Sequence, residues 1–160
     1  MNTAAIAFLH QHLLAALHPA PTETRRLFHG RGRCYPGLEH LTVDWLQGVL
    51  LVALFRQPSD AELAALKQML MAFTQTASWQ HSQAHSLLLQ HRYLLESSTE
   101  WLLGEVVDEC LISENGLRYK LDLGQKQNTG LFLDMRYGRQ WVHAQARGLP
   151  VTADVALYQL

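Results

Sequence analysis

The chain has 160 residues, 48% hydrophobic and 17% charged, enough to bury one substantial core. Its formal net charge of -1 gives no chain-wide positive field, so any nucleic-acid contact has to come from a local patch. Cys34 and Cys110 have no CxxC spacing and read as free thiols of a reducing compartment, and no uninterrupted apolar run approaches the roughly 20 residues of a membrane span.

In chain order, Ile6, Leu9, Leu13 and Leu17 recur at helical spacing, which predicts a first helix over 4–18 with Thr3 as N-cap and Pro19 and Pro21 as its stop. No Lys or Arg precedes Arg25, and His10, Gln11 and His12 interrupt the apolar run; this is an amphipathic helix and not a signal peptide. The following `TETRRLFHGRGRCYPGLEH` is rich in glycine and reads as an irregular loop that carries the one dense basic cluster, Arg25, Arg26, Arg31 and Arg33.

`LTVDWLQGVLLVALF` predicts a hairpin turning at Leu46, Gln47 and Gly48, with a second strand over 49–55 buried on both faces. Ser59 and Glu62 form a capping-box signature, and Leu63, Leu66, Leu70 and Phe73 make one apolar stripe, so a helix spans 60–75. A strand is expected around 85–90, and 100–107 and 109–113 read as extended.

Asn115-Gly116 is a strong hairpin signal, because both central positions of a type I′ turn need positive φ. Beyond it Leu117, Tyr119, Leu121 and Leu123 alternate with polar residues as a half-buried strand. Gly124 to Asn128 should turn and Thr129 to Leu133 return as a short strand. Asp134 is then placed as N-cap of a helix over 135–147, with Gly148 as its C′ residue.

The stretch `LGQKQNTGLFLDMRYGR`, lying between a strand and a helix, resembles the segment that leads into the catalytic domain of class I S-adenosylmethionine-dependent methyltransferases related to the ribosomal RNA large-subunit methyltransferases. That family carries G-x-K-T-G-x-x-x-D-x-R-x-x-R there, and Gly124, Gly130, Asp134, Arg136 and Arg139 match it. Upstream, `HGRGRCYPGLEHLTVDW` is similar to the family's Pro-Gly-Leu hairpin at Pro36, Gly37, Leu38 and Asp44. The chain departs from the pattern in `KQNTG`, where Lys126 lies three residues before Thr129. It departs again in `GLPVTADVALYQL`, where the family's Gly-containing strand-to-helix bend would follow.

The order of elements, a strand pair and then a helix, suggests an α+β fold: an antiparallel or mixed sheet with hairpins packed by two or three helices, which by the resemblance leads into the start of a truncated Rossmann-like domain. It divides the chain into an N-terminal helix over 1–20, an α+β substrate-side unit over 21–113, and a hairpin and helix over 114–160. A truncated product, a frameshifted gene or an artificial boundary would account for the ending.

The implied function is the N-terminal portion of a methyltransferase acting on RNA of ribosomal type, catalytically incomplete as it stands. S-adenosylmethionine is the implied cofactor, its pocket incomplete here, with Asn128, Thr129, Gly130, Asp134, Arg136 and Arg139 on the cofactor side. A Gln-, Asn- and Thr-rich turn offers amides without bulk, Gly130 permits close approach, and arginines at i and i+3 present forked donors from one helix face. Asp134 is expected to hold Arg136 or Arg139 by charge-assisted bonds.

Arg25, Arg26, Arg31, Arg33 and Lys126 are the RNA-side candidates, and no catalytic residue is singled out. The plainer reading of these groups is a solvated loop, an N-cap and surface ion pairs. His81, His85 and His91 lack the partners that would complete a metal site, so no metal is expected. Cytoplasmic location, no membrane contact and a homodimer through exposed apolar surface complete the expectations. The alternative from a different class is a non-catalytic module that binds RNA or a protein.

Overall fold

Six consecutive apolar residues, Val49 to Leu54, leave no polar face to turn to water, and they take the middle of the larger sheet. The structure, a computed structural model, describes residues 1–95, 98–123 and 129–147. In chain order its elements are α1 (Thr3–Ala16), β1 (Arg25–His29), β2 (Leu41–Trp45), β3 (Val49–Leu54), α2 (Asp60–Phe73), α3 (Ala77–His81), β4 (Ser86–His91), β5 (Ser98–Leu103), β6 (Glu109–Glu114), β7 (Leu117–Asp122) and α4 (Arg136–Ala146). Strands β1 to β5 form one mixed sheet in sequence order, antiparallel except for the β3–β4 pair, and β6–β7 form a separate hairpin.

Side-chain alternation gives the large sheet two covered faces. On one, Val43, Leu50, Val52, Leu87 and Leu89 pack with Leu9 and Leu13 of α1 and Leu66, Leu70 and Phe73 of α2. On the other, Val49, Leu51 and Leu88 meet Ile112 and Leu121 of the hairpin together with Leu131 and Leu133. The Ser59–Glu62 capping box is formed as expected. Asn115 and Gly116 both have positive φ, 52° and 78°, as the type I′ turn requires.

Several local expectations need correction. Asn2 and not Thr3 caps α1, its side-chain oxygen accepting the Ala5 N–H at 2.8 Å, while Thr3 already lies within the first turn. The presumed loop begins with edge strand β1, which was hidden by a β-bulge. Arg26 pairs with Asp44 and Phe28 with Val43, so the extra residue lets Leu27 and Phe28 both enter the helix-side core while Arg26 stays on the other face. Residues 82–85 lead out of a short helix, α3, that periodicity did not resolve.

Thr129 to Leu133 is not a strand: the Thr129 carbonyl accepts the Asp122 N–H at 2.9 Å, and Gly130 then takes a φ of 100°. Asp134 caps nothing, because it lies inside a 3-10 turn over Leu133–Met135 that runs into α4 without a side-chain cap. No residue of α4 is buried, and Tyr137 and Trp141 stand 80% and 65% exposed. The expected turn over Gly124 to Asn128 and the C′ role of Gly148 fall outside the described residues.

Candidate functional site

The hairpin-side face of the large sheet changes character along its strands. Val49, Leu51 and Leu88 are apolar, but further along the same rows stand Arg26 on β1, Thr42 and Asp44 on β2, and Gln90 on β4, with Arg92 just beyond. They surround a recess of about 60 Å³ that is roofed by Thr129 and by Leu131 to Asp134. The roof is held from below, since Leu131 and Leu133 are buried among Val49, Leu51 and Leu88. The 129–134 segment is thus fixed over the polar end of the sheet by its own leucines.

Asp44 is only 9% exposed and is met by a forked contact from Arg26, Nε to Oδ1 at 2.8 Å and Nη2 to Oδ2 at 3.3 Å. Burial pushes the Asp44 carboxyl up from its ordinary value, with the Arg26 hydrogen bond and charge pulling the other way. For Arg26 burial acts downward, but the contact with Asp44 and the charges of Asp44 and Asp134 outweigh it and hold the guanidinium above its ordinary value. A guanidinium keeps its proton in any protein setting, and with both carboxyl oxygens accepting from it Asp44 serves here as an acceptor.

At the rim of this recess, Phe55 continues the Val49, Leu51, Ala53 row. Two guanidinium groups lie over its ring, Arg31 Cζ at 4.2 Å and Arg92 Cζ at 4.9 Å from the centroid. The Arg92 N–H donates to the Leu54 carbonyl at 2.9 Å, and the Phe55 N–H to His40 at 2.8 Å, which pins both backbones.

Of the residues expected from sequence, Arg26, Thr129 and Asp134 line the recess and Arg31 stands at its rim. Arg25 is exposed on β1 beside Arg26, and Arg33 is exposed with a left-handed φ of 58° after the 3-10 turn of Gly30–Gly32. Gly130 is exposed and does not line the recess. The expected link from Asp134 to Arg136 or Arg139 gives way to other partners. Arg136 donates to the Thr24 carbonyl at 2.9 Å and pairs with Glu23. Arg139 forks onto Glu114 at 2.8 and 3.0 Å and donates to the Phe132 carbonyl.

Both arginines therefore clasp α4 to the body of the protein. Asn128 and Lys126 lie outside the described residues. His81 ends α3, and His85 is in hydrogen-bond contact with Ser86 Oγ at 2.9 Å. Among the described residues no group of three His, Cys, Asp or Glu is placed to hold a metal ion, and no helix among them is long and apolar enough to cross a membrane. Sequence reasoning missed Thr42, Phe55, Gln90 and Arg92. The available signal was the alternation Leu88, Gln90, Arg92, which places two polar side chains beyond a buried leucine on one face of the strand.

A mixed sheet covered by helices on one face, and by a hairpin and the 129–134 segment on the other, is the expected α+β class. The chain belongs to the S-adenosylmethionine-dependent methyltransferase family, whose sequence model matches residues 25–158. It is 28% identical over 104 residues to ribosomal RNA large subunit methyltransferase I of Pseudoalteromonas atlantica, a match covering 64% of this chain and 26% of that protein. It is 30% identical over 135 residues to a ribosomal RNA large subunit methyltransferase of Deinococcus radiodurans, covering 79% of this chain and 31% of that protein. The chain thus spans about a quarter to a third of the length of these curated relatives.

In fold it is similar to a Streptococcus mutans chain assigned to the SAM-dependent methyltransferases, with a TM-score of 0.63, 18% identity, and coverage of 86% of this chain and 35% of that one. It is likewise similar to a methyltransferase solved in complex with SAH, with a TM-score of 0.61, 17% identity, and coverage of 84% and 34%.

The family's cofactor is S-adenosylmethionine, and the recess beneath the family motif does not hold the whole of it. Pockets that enclose ligands of such size run to roughly 300–1,000 Å³, whereas this recess offers about 60 Å³. Of the described residues expected on the cofactor side only Thr129 and Asp134 line it, and Arg136 and Arg139 are engaged elsewhere.

Proposed function

We propose that this chain is the substrate-side part of an S-adenosylmethionine-dependent methyltransferase that acts on RNA of ribosomal type, and that the methyl donor is held mainly by surfaces beyond its described residues. Membership of the family supports the reaction class, and the names of the two curated relatives support the substrate class. The observation that carries the reading is the seating of the Leu131–Asp134 segment over Arg26, Thr42 and Asp44, which makes the family motif and the basic strand one continuous surface. The contribution of such a surface to methyl transfer is alignment, holding an acceptor strand in one orientation so that the two reactants meet productively.

Two titrations of the purified chain test this. Isothermal titration with S-adenosylmethionine is expected to show no tight stoichiometric binding, and a tight site would overturn the placement of the donor. A fragment of ribosomal RNA is expected to bind with an affinity that falls steeply as salt rises, since a phosphate-contacting surface releases counterions. An affinity indifferent to salt would remove RNA as the substrate class.

A further inference from the structure

The geometry points to a phosphodiester seat on the rim of the recess, formed by Arg31 and Arg92 held on the ring of Phe55, that takes one phosphate of an RNA strand. It rests on the RNA reading above and narrows that reading to a particular set of atoms.

Three separate pieces of chain converge here. Arg31 comes from the 3-10 turn after β1, Phe55 from the end of β3, and Arg92 from the end of β4. The parallel β3–β4 register, Leu54 against His91, brings Phe55 and Arg92 side by side. An aromatic face fixes the plane of a stacked guanidinium, so less side-chain freedom is lost when its N–H fork meets an oxyanion. Two guanidinium groups held by one ring bring several N–H donors to one rim, and a phosphate offers several acceptor oxygens to meet them.

The electrostatics agree with the geometry. Arg26 is already matched by Asp44, so it does not compete for the same anion. Burial lowers the proton affinity of Arg92, and the neighbouring charges of Arg31 and Arg26 lower it further, with the Asp44 charge acting the other way. With a formal net charge of -1, the chain as a whole supplies no such attraction; the pull on an anion is local to this rim.

The test compares wild type with the double variant R31Q/R92Q, and with R118Q as a control on the exposed outer strand of the hairpin. Binding of a single-stranded oligouridylate is measured across a salt series, after circular dichroism has established that each variant is folded. The double variant is expected to bind on the order of tenfold more weakly, and its slope of log affinity against log salt should be smaller by about 0.7, the loss of one phosphate contact. R118Q should match wild type.

Unchanged affinity and slope in the double variant, with wild type still binding in a salt-dependent way, would overturn the seat while leaving the RNA reading in place. Wild type that shows no salt-dependent binding would overturn both. A second measurement needs no variant: the Arg31 and Arg92 Nε–Hε resonances of wild type should shift on titration with the oligouridylate. Shifts produced by inorganic phosphate but not by the oligomer would assign the rim to a free anion and overturn the RNA phosphodiester; no shift with either would overturn the seat altogether.

Discussion

Arg139 on α4 holds Glu114 at the end of β6 through two parallel contacts of 2.8 and 3.0 Å, and Glu114 is 1% exposed. Removing the arginine leaves a buried carboxylate without its counter-charge. R139A is therefore expected to lower unfolding stability by about 3 kcal/mol, read from urea denaturation. The double variant E114M/R139M, which removes both charges, should regain most of that loss. If R139A costs less than about 1 kcal/mol, the contact behaves as a surface pair and the clasp is not what holds α4.

Gly30 is buried where the chain leaves β1, and a Cβ added there would stand 1.8 Å from the Leu38 carbonyl oxygen, a backbone atom that cannot swing aside. G30A should cost about 3 kcal/mol or more, as overpacking against fixed atoms does. Gly116 is the counterpart: its φ is 78°, but nothing lies within 4 Å of an added Cβ. G116A should cost only the strain of a left-handed residue, about 1 kcal/mol. Thermal melts of the two variants compare crowding with conformational strain, and a larger loss for G116A would reverse the assignment.

Ser59 caps α2 by accepting the Glu62 N–H, while the Glu62 carboxylate accepts the Ser59 N–H at 2.8 Å and also meets the N-terminal amine of Met1. S59A is expected to destabilise the fold by about 1 kcal/mol. E62A removes the acceptor for both donors and should cost at least as much. Chemical denaturation orders the two, and an E62A that is harmless would show that the contact with Met1 contributes nothing.

The two thiols should part company with pH. Cys34 is exposed, whereas burial pushes the Cys110 thiol up to about 11. Alkylation near neutral pH is expected to label Cys34 first, and the rate at Cys110 should climb about tenfold per pH unit until it levels off near that value. The sign for stability follows. A thiol whose folded pKa lies above its ordinary 9.0 stabilises fully below that pH, and its contribution is lost as pH rises toward about 11. Peptide mapping after timed alkylation checks the order; equal rates at the two sites would show that Cys110 is not shielded.

What could be read from sequence was what neighbours in the chain decide. The Ser59–Glu62 box, the all-apolar β3 and the Asn115-Gly116 turn each depend on residues within a few positions, and each is present. β1 escaped because its bulge puts Leu27 and Phe28 in succession toward the same core, which breaks the two-residue period that marks a strand. In Thr129 to Leu133, Leu131 and Leu133 alternate in the chain as they would in a strand, and both are buried. They are buried as pegs in the lower core rather than as part of a ladder.

The site divides along the same line. Asp44, Asp134, Arg26 and Arg31 were visible as residue types in motifs, but their partners come from far along the chain. Gln90 and Arg92 reach the recess only because β4 lies parallel to β3. Arg139 finds Glu114 twenty-five residues away across the hairpin, a partner no helical spacing could name.

The parallel seam between β3 and β4 also orders the assembly of the sheet. Strands β1 to β3 zip up with immediate neighbours, as do β4 and β5, but the six register pairs of the seam cannot form until α2 and α3 have carried the chain back across. Loop-closure entropy has to be met before that contact gives any return, which puts the seam at a disadvantage against the pairings of immediate neighbours. A molecule caught before this step carries two half-sheets, each with a bare, apolar strand edge, and in a crowded solution those edges are open to the wrong chain.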